Sequence, residues 1–435
     1  MITAAYAAAR LAGWARPVRR GAAMIPLAPN TASAGLSVVI PSRDGRALLE
    51  DQLSGIAADL AAVSGEIIVI DNGSSDGTAE WLRATYPQVV IAVSPEPLSF
   101  AGAVNRGIRR ARFSHVCLLN NDMRIEPGFF AALLKAFRAV PDLFCATAQI
   151  RFPPGVRREE TGKAVMAQAA PEDFPIRCDE PLPGEDGTWV LYGSGGCSAY
   201  DAAKLRALGG VDEAYAPAYV EDLDLGYRAW LRGWPSVYVA GAVVEHRHRA
   251  TTSRYYSEER LATILETNYL RFLARAVASR PVFRRLWRQA LDRLQLRAAS
   301  DRAARAALRC AARLALAGGP AHTPAADEES LRWGRLQPAN PAQAPRPDVP
   351  EESLLALTDG SVACFPGRAV SGKPPALVAA QGFESATTND EGGAVLLVRV
   401  GRLEPPPANL LARYAKIVEA RTDAAFDAAA HWIKR

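Results

Sequence analysis

From Leu36 to Val140 the chain alternates short β-branched apolar runs with stretches whose apolar residues recur at helical spacing. That alternation constrains the fold more than any other feature. "LSVVI" (36–40), "EIIVI" (66–70), "VVIAV" (89–93) and "HVCLL" (115–119) read as strands. Between them Leu49, Leu53, Ile56 and Leu60 mark one helix, Trp81 and Leu82 a second, and Val104 and Ile108 a third, with a fourth from Pro127 to Val140. Strands apolar on both faces, set between amphipathic helices, predict an α/β fold with a mainly parallel sheet covered on both sides. In open sheets of this kind ligands bind beyond the carboxyl ends of the strands. Pro41, Asp71 and Asp122 all fall at such ends, so three separate turns are expected on one edge.

The later chain is less regular. Residues 151–188 are rich in proline and charge and read as an excursion; "TWVLY" then restores strand character. "YVEDLDLGYRAWLRGW" places Leu223, Tyr227, Trp230 and Leu231 on one helix face, closed by Gly233 and Pro235. The strand-like "SVYVAGAVVEH" ends at His246, and helices follow to about residue 316. Seven prolines in 318–350 read as a linker. Beyond it "ALVAA", "AVLLVRV" and a helix from Ala408 suggest a small α/β unit without visible chemistry. The expected division is a basic extension over 1–35, a catalytic domain over 36–254, an arginine-rich helical extension over 255–317, the linker, and the unit at 351–435.

Charge distribution says more than the net +5. No acid precedes Asp44, whereas Arg10, Arg16, Arg19 and Arg20 do, and between Arg271 and Arg313 twelve arginines face two acids. Such a bias favours phosphate-bearing partners. Phe272, Leu273, Val277, Phe283, Leu286 and Trp287 interleave with these arginines, which suits either a helix lying on an anionic bilayer or a packed helix with an arginine outer face. Nothing else reads bases, so nucleic acid is not expected as a partner. No apolar run reaches the roughly 18 residues of a spanning helix. Arg10 and Arg16 interrupt any signal core, and the six scattered cysteines suit reduced, buried thiols. A cytoplasmic protein, either soluble or peripheral on the inner face of the membrane, is the expectation.

Asp71 in "VIDNGSSDGT" either caps a polar turn or accepts hydrogen bonds from a nucleotide. No G-x-G-x-x-G follows the first strand and no Walker lysine is present, which excludes dinucleotide and P-loop chemistry. Asp122 either ends a strand or holds a hard divalent ion that can bridge two phosphates. Glu221, Asp222 and Asp224 either complement a helix dipole or include a proton acceptor. His246 and His248, at a strand end, are either structural or ligands.

The order "LSVVIPSRDG", "IIVIDNGSSDGT", "SFAGAVNRGIRRA", "LLNNDMRIEPGF", "GGVDEAY…YVEDLDLGYRAWLRGW", "VVEHRHRATTS" resembles the inverting family 2 glycosyltransferases of GT-A fold, particularly the rhamnosyltransferase-like members, over roughly residues 36 to 275. The resemblance implies a nucleotide-sugar pocket at Pro41, Arg43, Asp44, Asp71, Gly102, Asn105, Asn121, Asp122, Gly196 and Cys197. It implies Mg2+ or Mn2+ held by Asp122 and His246, with His248 as the second choice, and catalysis by Asp222 of the Glu221–Asp222 pair. The usual D-x-D is here Asn120, Asn121, Asp122, with one acid left. The implied donor is a dTDP-, UDP- or GDP-sugar and the implied acceptor a bacterial lipid-linked or surface glycan. Two rivals remain: a nucleotidyltransferase, for which "PSRDGR" is a weak triphosphate loop, and a non-catalytic nucleotide-sugar binding module, against which the intact acid pair and His246 speak.

Overall fold

The computed structural model describes residues 2–18, 27, 32–140, 142–152, 163–166, 171–179, 186–187, 189–247, 254–319, 362–366, 383–386, 395–399 and 416–420. Helix α1 (Ile2–Trp14) comes first. The expected alternation follows as β1 (Ser33–Ser42), α2 (Arg46–Leu60), β2 (Gly65–Asn72), α3 (Thr78–Thr85), β3 (Val90–Ser94), α4 (Phe100–Ile108) and β4 (Phe113–Leu119). These strands lie in the order β3, β2, β1, β4, all parallel, with Val38 between Ile67 and Cys117. Leu36, Val38 and Ile40 enter one apolar cluster and Val39 the other, on the opposite face. Both faces are covered, which is why this strand carries apolar residues in succession.

The chain continues through β5 (Met123–Ile125), α5 (Phe129–Ala139), β6 (Cys145–Arg151), a ribbon of β7 (Lys163–Met166) and β8 (Ile176–Asp179), and short β9 (Trp189–Val190). Next come β10 (Cys197–Asp201), α6 (Ala202–Ala207), α7 (Glu221–Trp230) and β11 (Ser236–His246). β10 lies antiparallel between β4 and β6, with Cys197 opposite Leu119. The carboxyl end of β4 therefore meets the entry to β10, and two loops converge on one edge. β11 and β5 follow β6, and β9 pairs with β11 to complete a nine-stranded sheet.

Helices α8 (Glu258–Ala276), α9 (Arg280–Arg297) and α10 (Arg302–Leu316) pack together with α1. Ser257, Ser279 and Asp301 cap their N-termini by accepting from Arg260 N, Val282 N and Ala303 N. Phe272, Leu273, Val277, Phe283, Leu286 and Trp287 are all buried in the main apolar cluster, so they are core and cannot insert into a bilayer. Arg16 is buried too. Its guanidinium donates to Leu273 O, Ala274 O and Val277 O at the end of α8 and lies 3.8 Å from the Phe283 ring centroid. A Cβ at Gly13 would fall 2.3 Å from Trp287 Cδ1, so only glycine admits that contact. The buried Arg293 guanidinium pairs with the buried Glu266.

In the last segment β12 (Val362–Pro366), β13 (Phe383–Ala386), β14 (Val395–Arg399) and β15 (Lys416–Ala420) form a sheet in the order β12, β15, β14, β13. The helix expected from Ala408 is corrected at Lys416–Ala420, where Ile417 and Val418 pair with strands on both sides. "ALVAA" and nearly all of the proline-rich linker lie outside the described residues. Among the described residues no helix is long and apolar enough to cross a membrane.

Candidate active site

β4 ends at Leu119, and the turn Asn120–Asp122 delivers Met123 into β5. Met123 pairs with His246 across the antiparallel β5–β11 ladder. That register sets Asp122 beside His246, with Oδ2 3.6 Å from Nε2 and both side chains almost buried. Asp122 Oδ1 is buried with no hydrogen-bond partner among the described residues. Such an oxygen costs about 1–3 kcal/mol or more unless a ligand satisfies it. A carboxylate oxygen beside an imidazole suits a divalent cation. Among the described residues no three ionisable or thiol side chains cluster as a complete metal cage. An ion here would complete its shell from phosphate oxygens and water. His248 lies outside the described residues.

Asn121 ties this turn to the end of β1: its Nδ2 donates to Ser42 Oγ at 2.9 Å, and its carbonyl accepts from Gln52 Nε2. Asn120 N donates to Gly196 O at 2.8 Å. A Cβ at Gly196 would lie 2.5 Å from Asn120 Nδ2, so a larger residue there would have to displace the Asn120 amide. The next glycine back, Gly195, donates its N–H to Asp222 Oδ2 at 3.2 Å. One short loop therefore touches both the Asp122 turn and the start of α7.

The entry to α7 is strained. Tyr219 and Val220 adopt φ of +72° and +78°, a left-handed conformation that is an outlier for a β-branched residue. Asn268 of α8, itself buried, holds that entry: its Nδ2 lies within hydrogen-bond distance of Tyr215 O, Ala218 O and Tyr219 O at 2.7, 2.9 and 3.0 Å. The three acids then separate by environment. Asp224 accepts from Tyr215 OH and from Arg228 Nε at 2.6 Å, a buried ion pair that serves the fold. Glu221 is 6% exposed; burial, and then the neighbouring Asp222 charge, push its carboxyl well above the usual range. Asp222 is partly exposed, with Oδ1 accepting from Leu223 N at 2.8 Å.

At the ends of β1 and β2, Ser42 and Asp71 pair in register. Asp71 Oδ1 accepts from Ser74 N at 3.2 Å. Asp44, at φ +46°, accepts from Ser75 N at 2.7 Å and from Tyr255 OH at 2.5 Å. The Ser75 N–H and then the Tyr255 hydroxyl hold its carboxyl below the usual carboxylate range. Arg43 stacks 3.9 Å from the Tyr255 ring centroid, and Arg254 donates to Asp44 O. Pro41 lies one residue before this cluster, opposite Ile70. Tyr255 and Arg254 carry no sequence signal that would have marked them, since the pairing spans more than two hundred residues.

Two of the expected pocket residues also make contacts inside the fold. Cys197 is fully buried in β10. Asn105 exchanges hydrogen bonds with Val211 N and O and reaches Glu213 Oε1, so its amide joins α4 to the loop before α7. Gly102 N bonds the capping Ser99 Oγ. Asn72 was missed although it adjoins Asp71 in the "DN" pair; it brackets Leu98 by donating to its carbonyl and accepting from its N–H.

The model of the family described as "Glycosyltransferase like family 2" matches residues 33–263. The chain is similar to N-acetylglucosaminyl-diphospho-decaprenol L-rhamnosyltransferase of Mycobacterium tuberculosis, 30% identical over 43% of this chain and 68% of that protein. It is also similar to validoxylamine A glucosyltransferase of Streptomyces hygroscopicus subsp. jinggangensis, 28% identical over 46% of this chain and 52% of that one. A solved mannosyltransferase from Pyrobaculum calidifontis, in complex with GDP-Man and Mn2+, superposes with a TM-score of 0.42 at 17% identity, over 72% of this chain and 95% of that one.

Proposed function

The chain belongs to glycosyltransferase-like family 2, and on that premise we propose that it moves a sugar, with inversion, from a nucleotide-diphosphate donor to a hydroxyl of a bacterial lipid-linked or surface glycan. The observation that supports this best is the glycine loop at 195–196, which joins Asp222 to the turn bearing Asp122. L-Rhamnose is the favoured sugar and a polyprenyl-diphosphate amino sugar the favoured acceptor, by similarity to the mycobacterial rhamnosyltransferase, and dTDP is the first nucleotide to test. Nucleotide sugars and lipid-linked acceptors meet at the cytoplasmic face of the membrane, and that is the proposed place of work.

Asp71, Asp44 and Arg43 line the edge where the nucleotide binds, with Asn121 bracing the turn between nucleotide and sugar. Asp122 and His246 are the residues that would hold Mg2+ or Mn2+, and the bound ion would supply Lewis-acid stabilisation of the diphosphate charge. Asp222 takes the proton of the acceptor hydroxyl as that oxygen bonds to the anomeric carbon. The anomeric carbon–phosphate oxygen bond breaks on the opposite face, and the diphosphate leaves with the electron pair. Glu221, whose buried carboxyl favours its neutral form, is suited to shape the site and not to accept that proton.

The test is product analysis after incubation with dTDP-rhamnose, UDP-sugars and GDP-sugars, with and without a polyprenyl-diphosphate N-acetylglucosamine acceptor. Asp222→Asn should lower turnover about a hundredfold or more while leaving donor affinity within twofold, the scale of a lost general base. Near wild-type transfer by that variant would refute the base assignment. Donor binding with neither transfer nor hydrolysis would make the protein a binding module.

A further inference from the structure

We propose that the outer face of α1, with the arginine stripe beside it on α9, docks the protein on an anionic lipid bilayer. The inner face of α1 is fixed by Ala9, Ala12 and Gly13, packed under Trp287, whose Nε1 donates to Ala9 O at 3.0 Å. The outer face is not polar, as a solvent-facing stripe would be. Ala4, Ala7 and Ala8 are exposed on it, and Leu11 and Trp14, three residues apart, are 71% and 68% exposed; Val18, 62% exposed, lies beyond the helix end in a bridge to Gly319. Large apolar groups aligned on one rigid ridge mark a contact surface, whereas scattered ones do not. α1 contains no acid.

Charge selects the partner. Arg284 of α9 donates to Trp14 O at 3.2 Å and lies 5.4 Å from the Trp14 ring centroid. Arg280 and Arg288 stand one turn to either side of it, and all three are exposed. The neighbouring acid on α9, Asp292, accepts from Tyr6 OH and lies 4.0 Å from Arg10, so its charge is compensated. Apolar side chains with a tryptophan at their edge and arginines alongside match the boundary between acyl chains and anionic headgroups. A helix of 13 residues, about 20 Å long, lies on such a surface and does not span it. Leu316 at the end of α10 extends the same end of the helix pair, since Gly319 N donates to Pro17 O.

The experiment is flotation of the full-length protein with vesicles of phosphatidylcholine alone or mixed with phosphatidylglycerol, at low and high salt. Binding should require phosphatidylglycerol and fall with salt. Leu11→Ser with Trp14→Ser should weaken it at least tenfold. Arg284→Gln with Arg288→Gln should weaken it roughly fivefold per arginine. Thermal melts should change little in both pairs, because the side chains are exposed and the Arg284–Trp14 contact that both disturb lies at the surface. Failure to float with either vesicle, or flotation untouched by the Leu11 and Trp14 substitutions, would overturn the proposal. So would a dimer in solution that the same substitutions dissociate, for then a second copy covers the ridge. Donor hydrolysis in solution reads the sugar-transfer function separately, so either reading can fail alone.

Discussion

Asn268 lies on α8, outside every recognisable motif, yet Asn268→Leu should disable transfer. The side chain is nearly isosteric, so packing changes little. Its amide nitrogen carries two protons for three carbonyls, Tyr215 O, Ala218 O and Tyr219 O, so about two full hydrogen bonds operate at once. Leaving those carbonyls unsatisfied in a buried place costs roughly 1–3 kcal/mol each. Opposing them is the strain of left-handed Tyr219 and Val220, of order 1–3 kcal/mol per residue. The two totals are comparable, so losing the amide should let the turn relax and carry Asp222 away from Gly195. Turnover should then fall at least tenfold with donor KM within twofold, while the net stability loss stays near 2 kcal/mol because relaxation recovers part of the cost. Steady-state transfer kinetics beside urea denaturation checks this. A variant that loses stability but keeps wild-type turnover per folded molecule would show that Asn268 serves the fold alone.

Asp122→Ala should abolish the Mn2+-dependent part of the thermal shift produced by a nucleotide sugar, and an undiminished shift would remove Asp122 as a ligand. Glu221 has a raised folded-state pKa. Its protonated form therefore contributes stability that is full below the unfolded value of about 4.3 and is lost as pH rises through the folded value. Wild type should accordingly lose stability relative to Glu221→Gln as pH rises above the unfolded value, read from urea midpoints, and a parallel pair of profiles would contradict the burial argument. A chain ending after Gly319 should keep donor binding and hydrolysis, measured by calorimetry and product release, because every proposed site residue precedes that point. Loss of binding in that chain would mean the C-terminal strands complete the site.

Short-range pattern by itself determined β1 to β4 and the helices between them, because apolar runs between amphipathic stretches have few other ways to be buried; β5, β6 and β10 carry no such run and were fixed by their pairing in the sheet. It also placed Pro41, Asp71 and Asp122 at strand ends, since an acid that closes an apolar strand must leave the core there. Which acid does what was decided only by tertiary structure. Glu221, Asp222 and Asp224 are near-equivalent as letters; Arg228 and Tyr215 claim Asp224, burial pushes the Glu221 carboxyl well up, and Asp222 alone stays partly open beside Gly195. His246 meets Asp122 through the β5–β11 register, a pairing across more than a hundred residues that no local pattern encodes. The same holds for the arginine-rich helices, whose apolar residues suit a bilayer or a packed core equally as sequence and are covered by α1 and the neighbouring helices in the fold. Composition states that apolar surface exists. Only packing decides which of it is already covered, and here that leaves Leu11, Trp14 and Val18 outside while Phe272, Phe283 and Trp287 are inside.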